Sequence, residues 1–398
     1  VLSGRSLIAA MCVGQVGNLL PHVVVPAIMA QHLMPLWHLS AGQAGLMASG
    51  YAAGYMLAVP ILTTLTDRID ARLILLCGSI LSGLATIAFG LFADGPWSAM
   101  GISALAGIGF AGAYMPGLKA LTDRLPPGDT SRAVTLYTSS FSFGVGLSFL
   151  VAQLAADAFG WQAAFFITGV GPVAMIVTCL LMPPHRPVPV SAKLLDFGPV
   201  FRNRTALGYI FGYGAHCFEL YGIRTWIVGF WTFVAAKNAG SGLPGPIAVS
   251  VAFTILAMPS SILGNELAIR FGRHRAIGLV MAGSALVAVL IALFAGQSAW
   301  LLLGLILVYA FTVNADSGAL TSGMTIAADP NFRGATMALH STVGFGLSAL
   351  GAWGVGVAID TAGGPASASG WVAGFGLLAL GIAFGPLALL WSRGRAKA

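Results

Sequence analysis

Runs of about twenty or more apolar residues follow one another along this chain, and a helix rising 1.5 Å per residue needs about that many to cross a hydrocarbon core of about 30 Å. Twelve such runs can be marked, roughly over 6–30, 41–65, 73–93, 97–119, 133–157, 162–182, 205–234, 247–268, 276–295, 300–326, 335–358 and 370–391. Of the 398 residues, 57% are hydrophobic and 8% charged, against roughly 25% charged in soluble domains. Water is therefore not the solvent for most of this surface. The ten-residue alternation of a membrane β-barrel is missing, and the 53 glycines suit closely packed membrane helices.

Charge placement fixes the topology. With the N-terminus cytoplasmic and twelve alternating spans, 17 of the 19 basic residues fall in inner loops and tails. They are Arg5, Arg68, Arg72, Lys119, Arg124, Arg132, Arg186, Lys193, Arg202, Arg204, Arg270, Arg273, Arg275, Arg333, Arg393, Arg395 and Lys397; Lys237 falls outside and Arg224 within a span. Such segregation obeys the positive-inside rule and predicts both termini in the cytoplasm. It also explains the net charge of +7 without a nucleic-acid partner. Cys12, Cys77, Cys179 and Cys217 each lie in a predicted span with no ligand-like spacing, so free thiols and no metal or other cofactor are expected. The first run is too long for a signal-peptide core and is read as the first helix.

The chain also repeats itself. Gly144-Val145-Gly146-Leu147-Ser148-Phe149-Leu150 returns 200 residues later as Gly344-Phe345-Gly346-Leu347-Ser348-Ala349-Leu350. Trp97 with Trp300, Leu65 to Arg68 with Leu267 to Arg270, and Pro127 to Arg132 with Pro330 to Arg333 keep nearly that offset. Parallel repeats with a site between them mark one large transporter class. The expected fold is an all-α integral membrane protein, with twelve transmembrane helices in two pseudo-symmetric six-helix bundles. Residues 1–182 form the N-terminal bundle, 183–204 a cytoplasmic linker and 205–398 the C-terminal bundle. Within the linker, Leu194-Leu195-Asp196-Phe197 reads either as a short interfacial helix or as disordered chain.

This architecture resembles the major facilitator superfamily over essentially the whole chain. The family's Gly-x-Leu-x-Asp-Arg-x-Gly-Arg-Arg pattern stands between the second and third runs as Thr63-Thr64-Leu65-Thr66-Asp67-Arg68-Ile69-Asp70-Ala71-Arg72. Leu65, Asp67, Arg68 and Arg72 match, while both glycines and one arginine are lost. A fainter copy keeps Leu267, Ala268, Arg270, Gly272 and Arg273. The resemblance implies that Asp67, with Arg68, Arg72, Arg270, Arg273 and Arg333, forms a conformational latch between the second and eleventh helices. The alternative is a loop ion pair in headgroup water. The Gly-Pro-x-x-Gly-Gly element of the family's efflux branch is absent from the fifth run, which reads Phe143-Gly144-Val145-Gly146 without the proline.

Ionisable residues inside a bilayer are functional candidates by default. The seventh run holds His216, Glu219 and Arg224, about 16, 21 and 29 Å from its inner end. His216 and Glu219 share a helix face, where they form either a proton-handling patch or a structural tie. Arg224 reads either as an anion-attracting charge at the outer mouth or as a side chain snorkelling to the headgroups. The tenth run contributes Asn314 and Asp316, the latter about 24 Å from Trp300 and in need of a partner from another helix. Gln15, Asn18 and His22 on the first run supply uncharged polar groups for substrate or for interhelical bonding. Tyr114, Tyr137 and His340 complete the candidates.

Metalloprotease, nucleophile-elbow and phosphate-loop motifs are missing, which disfavours an intramembrane enzyme or an ATP-driven pump. A channel needs no doubled halves, and a sensor needs a soluble domain the chain has no room for. The sequence predicts a monomeric secondary transporter of a bacterial inner membrane, moving a small solute, preferably an anion, by alternating access with proton coupling. Its partners are the small-molecule substrate, protons and the lipid bilayer. Proton-driven efflux of amphipathic compounds, or uniport and exchange, are the alternatives.

Overall fold

The computed structural model describes residues 2–187 and 196–393, without the side chains of 127–132, 135 and 330. Lys193, Leu194, Leu195, Arg395, Lys397 and the side chains of Pro127 to Arg132 therefore lie outside the described residues. Among those residues the chain is helical, with no strands. Ten helices are long and apolar enough to span a membrane: α2 (Ala41–Leu65), α3 (Ala71–Phe92), α4 (Pro96–Thr122), α5 (Pro127–Phe159), α6 (Trp161–Leu181), α8 (Pro246–Phe271), α9 (Arg273–Phe294), α10 (Ala299–Ala327), α11 (Arg333–Thr361) and α12 (Ala368–Ser392). A bent pair, Gly4–Leu19 and Val24–Trp37, makes α1, with a 50° turn between its parts. The twelfth, α7 (Arg204–Lys237), is the longest at 34 residues. It fails the apolarity test that the others pass because His216, Glu219 and Arg224 interrupt it. Apolar side chains left exposed at regular spacing, such as Leu279, Leu286 and Leu293 on α9, form the surface a lipid tail solvates.

Two compact units result. One comprises Val1–Ile28 and Gly50–Leu195, the other Met29–Ser49 and Asp196–Ala398. The chain passes between them inside the 183–204 stretch. The turn from α1 into α2, however, clusters with the C-terminal half, a detail the simple division at 182 does not contain.

Helix ends follow local chemistry. Asp70 caps α3 by accepting from the Arg72 amide at 2.9 Å, and Asn203 caps α7 by accepting from Ala206 at 3.0 Å. Proline at the first positions of α4, α5 and α8 loses no helical bond. Gly160 and Gly272, at φ 92° and 89°, make the abrupt junctions between α5 and α6 and between α8 and α9. The repeated Gly-x-Gly-Leu-Ser element does the same work twice. A Cβ on Gly144 would lie 2.8 Å from Leu19, and one on Gly344 would lie 2.5 Å from Tyr213. Thus α5 meets α1 in one unit as α11 meets α7 in the other, through a glycine that admits no side chain.

Four of the spans, α1, α6, α8 and α10, are interrupted partway along, and the breaks in α1 and α10 are the ones tied by side chains of other helices. Pro21 and Pro26 flank the bend of α1, where Ser148 of α5 donates to the Leu20 carbonyl at 2.6 Å and accepts from the Val23 amide at 3.4 Å. In α10 the helix stops at Thr312 and restarts at Ser317. Asn314 returns a bond to the Ala310 carbonyl at 2.8 Å. From α8, Ser260 donates to Phe311 O, Ser261 meets Ser317 at 2.9 Å, and Gly264 leaves room for the Ala315 carbonyl. Freed backbone groups at membrane depth are tolerated only when neighbours satisfy them in this way.

Candidate substrate and proton site

In the first unit the bent α1 presents its polar residues to the interior. Gln15 and Asn18 are fully buried. The Tyr137 hydroxyl donates to Gln15 Oε1 at 2.7 Å, and Asn18 Nδ2 donates to Ser79 Oγ at 3.1 Å. Gln15 Nε2 and Asn18 Oδ1 have no protein partner. One turn further, His22 is boxed by Tyr51, Phe110 and Phe141 at ring distances of 5.1, 5.0 and 5.6 Å. Tyr114 stacks on both Phe110 and Tyr137. Gln15, Tyr137, Tyr114 and His22, widely separated in sequence, therefore belong to one aromatic and amide-lined column.

In the second unit, His216 of α7 and Asp316 at the break of α10 bring Nδ1 and Oδ1 to 2.7 Å, each side chain 2% exposed. The approach is a close ion-pair contact and not an aligned hydrogen bond, since neither atom has a hydrogen-bond partner. Tyr213 stacks between the two imidazoles, 5.6 Å from His216 and 3.8 Å from His340. His340 Nε2 lies 3.5 Å from Thr321 Oγ1. His216 and Glu219, which share a helix face as a proton-handling patch or a structural tie would require, turn to different partners. Glu219 Oε1 accepts from Ser284 of α9 at 2.8 Å and from Tyr309 of α10 at 2.9 Å, while Oε2 accepts nothing. A spacing of three residues gives an angle between side chains of about 60°, enough for two adjacent helices to claim one each.

Arg224 is 5% exposed and sits 13 residues before the end of α7 at Lys237. Its guanidinium stands 5.0 Å over the Tyr221 ring, its Nε has no hydrogen-bond partner, and among the described residues no carboxylate pairs with it. Asn314, by contrast, spends its amide on the helix break.

The expected latch residues each have surroundings of their own within their unit. Asp67 follows α2 in a tight turn, with its amide bonded to Thr64 O. Burial raises its carboxyl above the ordinary value, Lys119 pulls it down and Asp123 adds to the rise. Arg68, Arg270 and Arg333 are exposed, and Arg270 lies over Phe271 at 5.6 Å. Arg72 donates to Met182 O at 2.7 Å. Arg273 reaches Asn265 at 3.4 Å and also bonds Ser322. The residue with the tightest grip here is Asp70, which stands where the family pattern has glycine. It takes both oxygens to Arg124 Nη2, at 2.7 and 2.9 Å, and accepts from the His185 amide at 2.8 Å. Burial raises its carboxyl, but the bonds from Arg124, His185 and Arg72 outweigh that, and the net shift is downward. The only sequence signal for it was an acid in place of a glycine.

A twelve-helix membrane fold with buried ionisable side chains in its interior defines a polytopic transporter. The sequence profile of the Major Facilitator Superfamily matches residues 7–352, and the chain belongs to that family. Its fold is similar to that of a bacterial homolog of the human lysosomal transporter Spinster in an inward-facing, occupied conformation. That likeness has a TM-score of 0.71 at 16% identity and covers 97% of this chain and 94% of the other. The unoccupied form of that homolog gives 0.73 at 18% identity, over the same shares of both chains. A POT family transporter in complex with a thioalcohol-conjugated peptide gives 0.75 at 13% identity, over 96% and 95% of the two chains. At these identities the likeness is one of fold.

Proposed function

We propose that this chain is a secondary transporter that moves a small organic anion by alternating access in a bacterial cytoplasmic membrane, with its uphill step coupled to protons. The observation that carries the proposal is the buried contact between His216 and Asp316 at 2.7 Å, set at the break in α10. An imidazole and a carboxylate this close attract strongly while the imidazole carries its second proton. Deprotonated, they leave a bare carboxylate in a low-dielectric interior. Proton gain or loss therefore changes the force holding α7 to the inner half of α10, Ser317–Ala327, and a broken helix is the element best able to respond. Glu219, held by Ser284 and Tyr309, is the second acid of the same unit, and His340 is tied to His216 through Tyr213.

Arg224 supports the preference for an anion. A guanidinium resting on an aromatic ring presents its N–H edge sideways, and the free Nε–H with its neighbouring Nη–H makes the fork that grips a carboxylate with two bonds. Within the first unit, Gln15, Asn18, Tyr114, Tyr137 and His22 offer uncharged hydrogen-bonding and stacking groups to a solute. The inner-end residues, Asp67 with Arg68, Arg72, Arg270, Arg273 and Arg333, are assigned to cycling and not to substrate choice. Purified protein in liposomes loaded with a pH-sensitive dye tests the proposal against organic anions, neutral analogues and cationic amphiphiles. Proton movement with an organic anion is expected. A response confined to cationic amphiphiles would instead establish efflux, and binding without proton movement would establish uniport or exchange.

A further inference from the structure

The start of α2 is held by a residue that neither the family pattern nor the substrate site accounts for. The first four amides of a helix have no partner within it, and here all four are satisfied. The Ala41 and Gly42 amides donate to the two oxygens of Asp360, at 2.8 and 2.6 Å. Gln43 donates to Ser40 Oγ at 3.2 Å, while the Gln43 side chain accepts from the Ser40 amide at 3.0 Å. Ala44 donates to the Ser40 carbonyl at 3.0 Å. Half of this cap is local, a reciprocal Ser-x-x-Gln box. The other half comes from the far end of α11, more than 300 residues away in sequence.

The surrounding backbone is shaped to let the carboxylate in. A Cβ on Gly42 would lie 3.1 Å from Asp360 Oδ2, and one on Gly45 would lie 2.6 Å from the Ala352 carbonyl. Gly356 leaves room for the Ala41 carbonyl in the same way. Trp226 of α7 donates to Ala352 O at 2.9 Å and covers the contact from the side. These residues all belong to the unit that contains Met29–Ser49. Beyond Ser49 the same helix enters the other unit, where Gly50 and Gly54 lie against the Met100 and Ala104 backbone of α4. One continuous helix thus has two docking faces. The α4 face joins glycine to backbone and packs Tyr51 and Tyr55 on Phe110, whereas the α11 face adds a carboxylate chelating two amides at the positive end of a helix dipole.

We infer that Asp360 is a releasable clasp: it holds the start of α2 on α11 in one state of the transport cycle, and its release opens the pathway from the non-cytoplasmic side. The contact is part-buried at the very end of its helix, so it is strong when made and water can take the carboxylate's place once α2 and α11 part. Asp360 ends α11 as Asp67 ends α2, at the opposite face of the membrane. The two acids therefore stand as counterparts, each at the C-terminal end of one helix of the same pair. The inference rests on the transporter reading and on nothing assigned to protons or to an anion.

The test uses full-length protein in proteoliposomes, with Cys12, Cys77, Cys179 and Cys217 replaced by alanine and one reporter added at a time. Ala44→Cys reports on the clasped segment, and Ala299→Cys, also buried and at the start of α10 on the same side of the membrane, reports on general loosening. The rate of reaction with a membrane-impermeant maleimide is compared in Asp360, Asp360→Asn and Asp360→Ala backgrounds. Asp360→Asn preserves shape and one acceptor, so the comparison stands even where the alanine variant fails to fold. We expect reaction at position 44 to rise on the order of tenfold in the variants, with position 299 unchanged. No change at position 44 would overturn the clasp, as would an equal rise at both positions. Neither readout involves substrate or protons, so failure here leaves the proposed coupling untouched.

Discussion

His216 Nδ1 and Asp316 Oδ1 lie 2.7 Å apart with both side chains closed off from solvent, joining the middle of α7 to the start of the inner half of α10. Glu219, one turn along α7, is held separately by two hydroxyls. Among the described residues the second unit therefore contains two fully buried acids in different surroundings, one facing an imidazole and one facing neutral donors.

Glu219→Gln keeps the shape of the side chain and removes its ability to lose a proton. If Glu219 takes part in coupling, gradient-driven accumulation should fall by at least tenfold while counterflow exchange persists. Unchanged uphill transport in liposomes would assign Glu219 to a purely structural tie with Ser284 and Tyr309.

Arg224 separates charge from geometry. Arg224→Ala should weaken substrate binding by about 2 kcal/mol or more, the scale of a charge-assisted pair, and Arg224→Lys should recover only part of it because an ammonium lacks the fork. Equal losses in the two variants, measured by calorimetry or thermal shift with the transported anion, would argue against bidentate recognition.

Asp70 and Arg124 make the inner ends of α3 and α4 pH-sensitive. Because the folded carboxyl titrates below its ordinary value near about 4, its contribution is fully present above that value and is lost as pH falls through the lower folded one. Asp70→Asn should lower stability by roughly 1–3 kcal/mol at pH 7 and flatten the acid limb of a Tm-against-pH curve. An acid limb identical to that of the wild type would remove Asp70 from that role.

Ser148 patches the bend in α1 through two backbone groups. Ser148→Ala should cost about 1 kcal/mol and speed hydrogen exchange at Val23, while the equivalent Ser348→Ala, whose hydroxyl returns to Gly344 O at 2.9 Å and also meets the Cys217 thiol, should leave exchange at Val23 unchanged. Equal exchange at Val23 in both variants would contradict the assignment.

What the sequence disclosed was whatever depends on residue type and regular spacing. Apolar run length located the spans, and basic residues predicted their orientation. The Gly144 and Gly344 elements revealed a duplication whose two copies make the same close approach. Ionisable residues in apolar runs singled out α7 and α10, although spacing alone could not say that His216 would meet Asp316 and not Glu219. That choice depends on helix rotation and on the break after Thr312, which satisfies its backbone through Ser260 and Gly264 of another helix. Asp360 was invisible for the same reason, because its partners are backbone amides that carry no side-chain signature. Asp70 was hidden by the family pattern itself, which draws attention to Asp67 three residues earlier.

Asp316→Asn, measured in two assays on the same liposomes, decides whether the His216 and Asp316 pair couples proton movement to transport. Accumulation driven by a pH gradient should disappear, while counterflow of labelled substrate continues at a substantial fraction of the wild-type rate. Accumulation against a gradient at wild-type level in a folded Asp316→Asn protein would contradict the coupling role.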